Sequence, residues 1–458
     1  MKERDYKGKW FLPTNINEKI SGTLHVEKMK EFHLDLVGNF FGKLDVNKKI
    51  EVILGYTSDG KKFTLIDNFI KNFRTSSPGF STCIFSPTII IIGKHFSSYS
   101  EINFRHVDLQ LQSFDNWLGI YGFDSIKIDE EHNGKIQINY ELPKKISFKI
   151  GENASGEFNF FVNTSLNHRS NEMKISQKAS LRILSDFDRN IDDFFDMIFK
   201  FQSFFGLAYF NTPAIEMIEA FELSDDVDAD NCVEVLVRDM QISNSRDKID
   251  FLFTYSDIKE KLDNVISNWF LKFEKIRPVL GGLLQSFNRD NKVVEFNFLG
   301  IIQSLETFHR RIKKNKILDK EVFKAKIDEI LDTISDVHRN WVKERLVYAN
   351  EPTLVNRLKE LFSELPDSLK EKLFENEDIF TNRLKDTRNY YTHYSEYLAS
   401  KAFEGKELFY ATEKLKVILV AILLKELFIL DEEFEKKFLK RGDRIFYHSF
   451  HNFRSITS

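Results

Sequence analysis

The hydrophobic pattern changes its period near residue 250, and no other feature restricts the fold of this 458-residue chain as much. Up to that point, short apolar or alternating runs are separated by turn signals such as Ser58-Asp59-Gly60 and Asn133-Gly134, which is typical of strands. Beyond it, apolar residues recur at helical spacing over long segments. Strands and helices need different periods, and the chain is too long for one ordinary core. The sequence therefore predicts two domains, 1–250 and 251–458.

The first domain is predicted to be an α+β fold rich in antiparallel β-structure. Its strand-like runs are spaced as in a sandwich or an open barrel, but a Phe-rich helical segment at 186–210 interrupts them and argues against a plain sandwich. The predicted strands are 22–27, 32–38, 49–56, 88–92, 103–111, 135–142, 145–150, 157–162, 214–221 and 232–238.

The second domain is predicted to be an all-α helical bundle. The helix expected at 293–312 is apolar nearly all round and should therefore be central. The longest apolar run, 417–424, is too short to cross a bilayer and is interpreted as part of a buried helix. The predicted helices are 255–277, 293–312, 322–346, 354–364, 378–398 and 408–430.

Composition narrows the classes of function. The formal net charge is −4, so no global basic field attracts nucleic acid and any RNA contact must be local. The sequence has only two cysteines, Cys83 and Cys232, in different sequence contexts, which excludes a disulfide framework and a cysteine zinc site. The histidines show no ligand spacing such as His-Glu-x-x-His. We therefore expect no metal and no cofactor, and, without the apolar core of a signal peptide, a cytoplasmic protein with no membrane contact.

The segment 386–394 carries the candidate chemistry. On a helix with about 100° per residue, one narrow stripe should face the core, and Asn389 and His393 lie on the opposite face. Arg388 lies on the flank, about 140° from His393 around the axis. The stripe predicted to face the core comprises Phe380, Leu384, Thr387, Tyr391, Tyr394 and Leu398.

Arg388 and His393 have the side chains that RNA cleavage without a metal requires. The reaction needs a base for the 2′-hydroxyl, an acid for the leaving oxygen and a cation for the phosphorane charge. Histidine, with a reference pKa of about 6.5, serves as acid or base, and arginine matches phosphate oxygens. Since the two side chains point apart on one helix, two copies across a two-fold axis predict a composite site at a dimer interface. The alternative is that both are solvated side chains of an amphipathic helix.

Other polar residues are weaker candidates. Glu306 lies in an otherwise apolar helix and needs a partner: it either orients Arg388 or His393, or forms a structural ion pair with a neighbouring Arg or with His309. Asp386 could pair with Arg383 or Arg388, and a surface pair that contributes little to stability is the favoured interpretation. A basic run either holds RNA phosphates or is a solvated helix end; it comprises Arg310, Arg311, Lys313, Lys314 and Lys316.

The pattern Arg388-Asn389-x-x-x-His393 resembles the signature of HEPN-domain ribonucleases. The segments 298–299 and 303–311 resemble the central helix of the ApeA-like HEPN subgroup, and the β-rich half resembles the N-terminal domain paired with it in anti-phage proteins. The resemblance implies a metal-independent endoribonuclease of abortive phage defence. It also implies dimerisation or a higher homo-oligomer, an RNA substrate, a phage-derived trigger, and a sensor or regulatory role for the first domain. Toxin-type relatives with Tyr two residues after the His differ here, because that position is Ser395.

Two other readings remain open. A non-catalytic HEPN-like protein that binds RNA or nucleotide, or that scaffolds a partner, would also dimerise, and RNA cleavage in EDTA separates it from the ribonuclease. The β-rich half could instead be an enzyme of its own, but it has no recognisable nucleophile–base pair or phosphate loop.

Overall fold

The computed structural model describes residues 4–26, 32–40, 49–76, 78–129, 135–167, 171–222, 232–238, 250–287, 293–446 and 449. The chain divides into two compact units. The first comprises Met1–Gln202, Pro213–Ile249 and Thr254–Ser256, and the second comprises Ser203–Thr212, Asp250–Phe253 and Asp257–Ser458. The segment Ser203–Thr212 thus belongs with the helical unit although it lies within the β-rich part of the sequence.

Antiparallel strands build the first unit, as predicted. Its short helix α1 is Phe114–Leu118, and the longer helix α2 is Ile191–Tyr209, whose end from Ser203 is counted with the second unit. The strands are β1 (Arg4–Leu12), β2 (Asn15–Val26), β3 (Phe32–Leu36), β4 (Ile50–Thr57), β5 (Lys62–Arg74), β6 (Thr82–Ser86), β7 (Ile89–Ile92), β8 (Asn103–Leu111), β9 (Phe123–Asp129), β10 (Lys135–Tyr140), β11 (Ile146–Lys149), β12 (Ala154–Asn167), β13 (Glu172–Asn190), β14 (Ile215–Phe221) and β15 (Cys232–Val237).

Six of these strands close into a barrel. The ring runs β4-β1-β2-β3-β6-β5 and back to β4, and an open sheet continues from β5 in the order β7-β15-β14-β8-β13-β12-β11. Strand β5 serves both parts: residues 63–66 pair with β7, and residues 69–74 pair with β6. Asp67, between the two stretches, has a left-handed backbone with φ of 56°, and such a residue bends a strand away from its first neighbour.

The barrel core follows from the alternation of side chains along its strands. Trp10, Leu24 and Leu34 are fully buried, while their neighbours in sequence face outward. A Cβ atom on Gly55 would lie 2.1 Å from the Trp10 indole, so β4 can pass the indole at this position only with glycine. Closure of the six-stranded barrel around Trp10 therefore depends on one residue without a side chain.

Five strands were missed from the sequence, namely β1, β5, β6, β9 and β13. Strand β13 also corrects the start of the helix that was expected at 186–210. Arg189 and Asn190 pair with Phe104 and Asn103 of β8, so the strand continues to Asn190 and the helix begins at Ile191. The sheet's hydrogen bonds override the helical spacing of the Phe residues in this stretch.

Helices build the second unit, which confirms the all-α prediction. The central role of the predicted 293–312 helix is also confirmed, because the observed helix α5 packs against α4, α8, α10 and α12. The helices are α3 (Tyr255–Ile258), α4 (Leu262–Phe287), α5 (Val294–Ile312), α6 (Lys320–Asp332), α7 (Asp336–Leu346), α8 (Leu354–Ser363), α9 (Asp367–Leu373), α10 (Glu377–His393), α11 (Glu396–Ala399), α12 (Gly405–Glu426) and α13 (Glu432–Ile445).

The apolar run 417–424 is entirely buried within α12, as predicted for a core helix. No helix in the described part of the chain is both long and apolar enough to span a bilayer.

Four helices predicted for the second domain differ in extent from the observed ones; of these, the helix expected at 408–430 runs from Gly405 to Glu426. The helix expected at 255–277 is broken into α3, a 3-10 turn at Lys259–Lys261, and α4, which continues through Pro278 to Phe287. The helix expected at 322–346 is two helices, since Ser335 begins α7 as its N-cap. The helix expected at 378–398 ends at His393 and is followed by α11.

Candidate active site

Helix α10 presents the candidate catalytic residues. Its N-cap, Asn376, accepts a hydrogen bond from the backbone of Ile379 at 3.0 Å, which satisfies one of the free N–H groups of the first turn. Phe380, Leu384 and Thr387 are buried as the helical spacing predicts. The first half of the predicted core stripe is therefore confirmed.

The second half of that stripe is partly wrong. Tyr391 is half-buried and Tyr394 is 67% exposed, whereas both were expected to face the core. The helix ends at His393, and Tyr394 takes a left-handed backbone with φ of 49°. This single residue breaks the helical phase at Tyr394, although Leu398, the last residue of the predicted stripe, is buried as expected in α11.

The polypeptide that follows α11 fixes α10 along one side. The backbone N–H of Phe403 donates to Thr387 Oγ1 at 2.9 Å, and the Tyr391 hydroxyl donates to the Phe403 carbonyl at 3.2 Å. One turn earlier, the Arg383 guanidinium lies 4.2 Å from the Phe403 ring centre and pairs with Glu407. These contacts were not predicted from the sequence. Their only sequence signal is that Arg383, Thr387 and Tyr391 recur every four residues and therefore share one side of the helix.

Burial, with the negative charges of Glu295 and Glu404, raises the pKa of Tyr391 to about 12. The hydroxyl therefore stays protonated at neutral pH and remains the donor of its bond to the Phe403 carbonyl.

Arg388 lies beside the acidic residue of the central helix. Its Nη2 atom is 3.9 Å from Glu306 Oε2, and its Nη1 donates to Asn389 Oδ1 at 3.2 Å. Glu306 also pairs with Arg310 at 3.1 Å, one turn further along α5. Both partnerships that the sequence left open for Glu306 with arginine thus occur together, and the structure brings Arg388, Asn389 and Glu306 into one cluster.

His393 stands apart from this cluster. It is the last residue of α10, its side chain is exposed, and it makes no hydrogen bond to any described residue. Five residues along a helix correspond to a rise of about 7.5 Å and a rotation of about 140° relative to Arg388. Within one chain, the imidazole is therefore free to meet a ligand on a side of the helix that Arg388 does not face.

Asp386 forms a weak surface pair, as favoured from the sequence, but its partner is a lysine rather than either of the two arginines. Asp386 lies 3.0 Å from Lys385, and Arg383 pairs with Glu407 instead. Since Lys385 is a neighbour in sequence and both side chains reach solvent, this pair contributes little to stability.

Acidic side chains accompany most of the basic run that begins in the last turn of α5. Arg310 pairs with Glu306 and Glu351, Lys313 with Glu364 at 2.8 Å, and Lys316 with Glu351 at 3.1 Å. Of the other two, Arg311 donates to the Glu274 carbonyl at 3.3 Å, and Lys314 is exposed, 4.0 Å from Asp319. RNA phosphates would have to compete with these carboxylates for Arg310 and Lys313.

A buried polar network stands behind the run. His309 is fully buried; one ring nitrogen lies 2.8 Å from Glu360 Oε2, and the other accepts from Arg357 Nη1 at 2.9 Å. Arg357 also donates to Asn315 at 2.6 Å and to Glu351 at 3.3 Å. Burial lowers the pKa of Arg357, and its acceptors compensate for the lost hydration.

Glu351 connects this network to the candidate site. It accepts from Arg310 and from Lys316, and these bonds lower the pKa of its carboxyl although burial opposes the shift. Arg310 in turn bonds Glu306, which faces Arg388. The side chain of Glu306 is therefore held on one side by Arg310 while its other oxygen faces Arg388.

Two family models match the chain. The model described as ApeA N-terminal domain 1 matches residues 5–269, and the model described as Apea-like HEPN matches residues 299–433. No curated protein and no solved structure matches the chain significantly. The second match contains α10 and most of α5, with Glu306, Arg388 and His393, and HEPN domains are generally ribonucleases. Because the first model alone covers more than half of the chain, and the second covers most of the helical unit, the chain belongs to the ApeA-like HEPN family.

Proposed function

We propose that this protein is a metal-independent endoribonuclease of abortive anti-phage defence. The observation that carries the proposal is the arrangement on α10 within the matched HEPN segment: Arg388 lies against Glu306 of the central helix, and His393 is exposed at the end of the same helix. Arg388 thus supplies a cation whose guanidinium is held in place, and His393 supplies an acid–base side chain that substrate can reach.

Each side chain has a role in attack by the 2′-hydroxyl. His393 takes or returns the proton of the reacting oxygens. Arg388 stabilises the charge that develops on the phosphorane. Asn389 accepts a hydrogen bond from Arg388 and, with Glu306, holds its guanidinium. Asp386 is not needed in this scheme, because it pairs with Lys385.

The active site is proposed to be composite and to form in a homodimer. Arg388 and His393 face different sides of α10, so one chain does not easily close both on one phosphate. A two-fold axis beside the Asn389–His393 face contributes the pair twice around a single RNA cleft.

The first domain, residues 1–250, is proposed to be the sensor or regulatory part. It supplies a large antiparallel β structure with none of the α10 chemistry, and the family model that it matches is named separately from the HEPN model. A phage-derived trigger would act on this part and release the ribonuclease.

The test is RNA cleavage by purified protein in EDTA. Wild type is expected to cut RNA and to leave 2′,3′-cyclic phosphate ends, and His393→Ala should lose cleavage while keeping its thermal melting profile, because His393 is exposed. His338→Ala is the matched control, since His338 is an exposed histidine on α7. A requirement for Mg²⁺, or full cleavage by His393→Ala, would contradict the proposal. If wild type binds RNA but leaves it intact even when extract of phage-infected cells is added to supply the trigger, the non-catalytic binding or scaffold hypothesis replaces the ribonuclease.

A further inference from the structure

Three neighbouring barrel strands place two histidines and two aspartates on one surface. Asp5 of β1 stands opposite His25 of β2, and His25 stands opposite His33 of β3. Asp35 follows two residues after His33 and therefore shares its face of the sheet. The alternate positions on β2 and β3, such as Leu24 and Leu34, fill the barrel core.

The side chains of this group converge. One potential ligand atom from each of His25, His33 and Asp35 lies within 4.8 Å of the other two. His25 Nε2 is 3.8 Å from Asp35 Oδ2. Two atoms bound tetrahedrally to one zinc ion at about 2.0–2.1 Å are about 3.4 Å apart. The His25 and His33 rings are stacked, with centres 4.7 Å apart and planes inclined by 22°, so the rings would have to rotate about their side-chain bonds to direct one lone pair each at a shared ion.

Asp5 prepares His25 for this role. His25 Nδ1 is 2.8 Å from Asp5 Oδ1, so the carboxylate favours the tautomer with the proton on Nδ1. The lone pair of Nε2 is then left on the side of Asp35. Histidines that bind metals commonly donate their other N–H to a carboxylate in this way.

Two buried polar atoms in the group have no hydrogen-bond partner in the described part of the chain. They are His33 Nδ1 and Asp35 Oδ1. A polar atom that is removed from water without a partner is destabilising and is rare in folded proteins. One cation would satisfy both atoms at once, since an imidazole lone pair and a carboxylate oxygen are both electron-pair donors.

We propose that His25, His33 and Asp35 bind a divalent transition-metal ion, with Asp5 as the residue that orients His25. Two imidazoles and one carboxylate suit Zn²⁺ better than Mg²⁺ or Ca²⁺, which prefer oxygen ligands. Three protein ligands leave a fourth position for water. The site belongs to the first unit and is independent of the proposed ribonuclease chemistry.

This proposal departs from the expectation of no metal. That expectation rested on local motifs, whereas these ligands come from two strands and their orienting carboxylate from a third. The ion would connect β2 and β3 directly and β1 through Asp5. An ion that binds only the folded barrel stabilises it.

The experiment uses the full-length chain without an affinity tag, stripped with EDTA and returned to chelator-free buffer. Calorimetric titration with Zn²⁺ is expected to show one tight equivalent and a higher melting temperature, and Co²⁺ should give the visible bands of a four-coordinate site. His33→Ala and Asp35→Asn should lose the tight equivalent. Asp5→Asn should keep it with an affinity about 10–100-fold weaker.

His106→Ala is the matched control. His106 is also a half-buried strand histidine stacked on a ring, that of Phe221 at 4.4 Å, and its loss should leave the tight equivalent unchanged. Absence of a tight equivalent in the wild type, or its persistence in both His33→Ala and Asp35→Asn, would overturn the site. If EDTA slows RNA cleavage by wild type, the rate of His33→Ala without EDTA identifies the cause. A His33→Ala rate equal to that of wild type in EDTA would assign the effect to this ion rather than to the HEPN site.

Discussion

Arg388 is held by two contacts of different kinds. The Glu306 carboxylate at 3.9 Å acts through charge, because the distance is too long for a hydrogen bond. The Asn389 carbonyl accepts one N–H at 3.2 Å. A guanidinium carries five N–H donors, so the described contacts leave a planar edge for a phosphate. The proposed role thus depends on the parallel N–H donors of the planar guanidinium, the fork, as well as on its charge.

The substitution Arg388→Lys tests the fork. Lysine keeps the positive charge but cannot donate from two parallel N–H groups, so cleavage at saturating RNA is expected to fall by about 100-fold, the lower range for the loss of an oxyanion donor. The measurement is the single-turnover rate, with thermal melting to show an unchanged fold. Arg345→Lys, an exposed change on α7, is the control. A rate equal to that of wild type would mean that only the charge matters.

At the scale of elements, α6 and α7 form a helical hairpin that stands out from the bundle. Neither helix buries a residue, and Val337 and Trp341 are 84% and 61% exposed. The hairpin is closed at its base by Asn350, whose side chain exchanges two hydrogen bonds with the Leu318 backbone at 2.8 and 2.9 Å. The hairpin therefore contributes little to the free energy of unfolding of the bundle.

Replacing residues 320–346 with a short Gly-Ser linker should leave the bundle folded. The backbone N–H of Ile317 donates to the Asn350 carbonyl at 2.9 Å, so the ends to be joined are already adjacent. We expect the free energy of unfolding to change by no more than about 1 kcal/mol, as for exposed positions, measured by urea denaturation. Asn350→Ala in the intact chain is the comparison, because it removes buried hydrogen bonds and should cost more. Loss of folding on excision would show that the hairpin is part of the core.

The helices also show what the sequence can predict and where it fails. Periodicity placed Phe380, Leu384 and Thr387 correctly, because burial on a helix repeats with its turn. It failed at Tyr394, since one left-handed residue ends that repeat. Periodicity cannot show which carboxylate meets Arg388, because Glu306 lies 82 positions earlier and the contact depends on how α5 packs against α10.

At the scale of the whole molecule, the composite site predicts complementation between inactive chains. Mixing Arg388→Ala with His393→Ala gives heterodimers that hold one intact arginine and one intact histidine on different chains. If one phosphate is served by both chains, cleavage should reappear in the mixture above the level of either variant alone. The readout is the initial rate as a function of mixing ratio, with Arg388→Ala/His393→Ala double-mutant chains as the control.

Sedimentation under assay conditions provides the opposing outcome for the dimer. A chain that is monomeric during turnover and cleaves RNA at the full rate would end the composite-site proposal, whatever the fate of the ribonuclease assignment. If mixing restores nothing although heterodimers form, all four groups are needed at once.

Ten of the fifteen described strands of the first unit could be predicted from their apolar patterns and turn signals, but the closure of the barrel could not. Strand β1 mixes charged residues with Gly8 and Trp10, so its apolar face is short. The ring is completed by β5 pairing with β6, a choice between neighbours that leaves no local signal. The sequence was compatible with either a sandwich or a barrel, and only hydrogen bonding between distant strands distinguishes them.

The left-handed residue Asp67 has a consequence for how this unit comes apart. Strand β5 cannot leave the ring without also leaving the interior of the open sheet, because it bonds β7 before Asp67 and β6 after it. Local fraying, which normally exposes a sheet from its edges, therefore cannot reach residues 63–66. Their amide protons should exchange with deuterium only when the whole unit unfolds. Ring and open sheet would thus be lost in one cooperative event rather than in two.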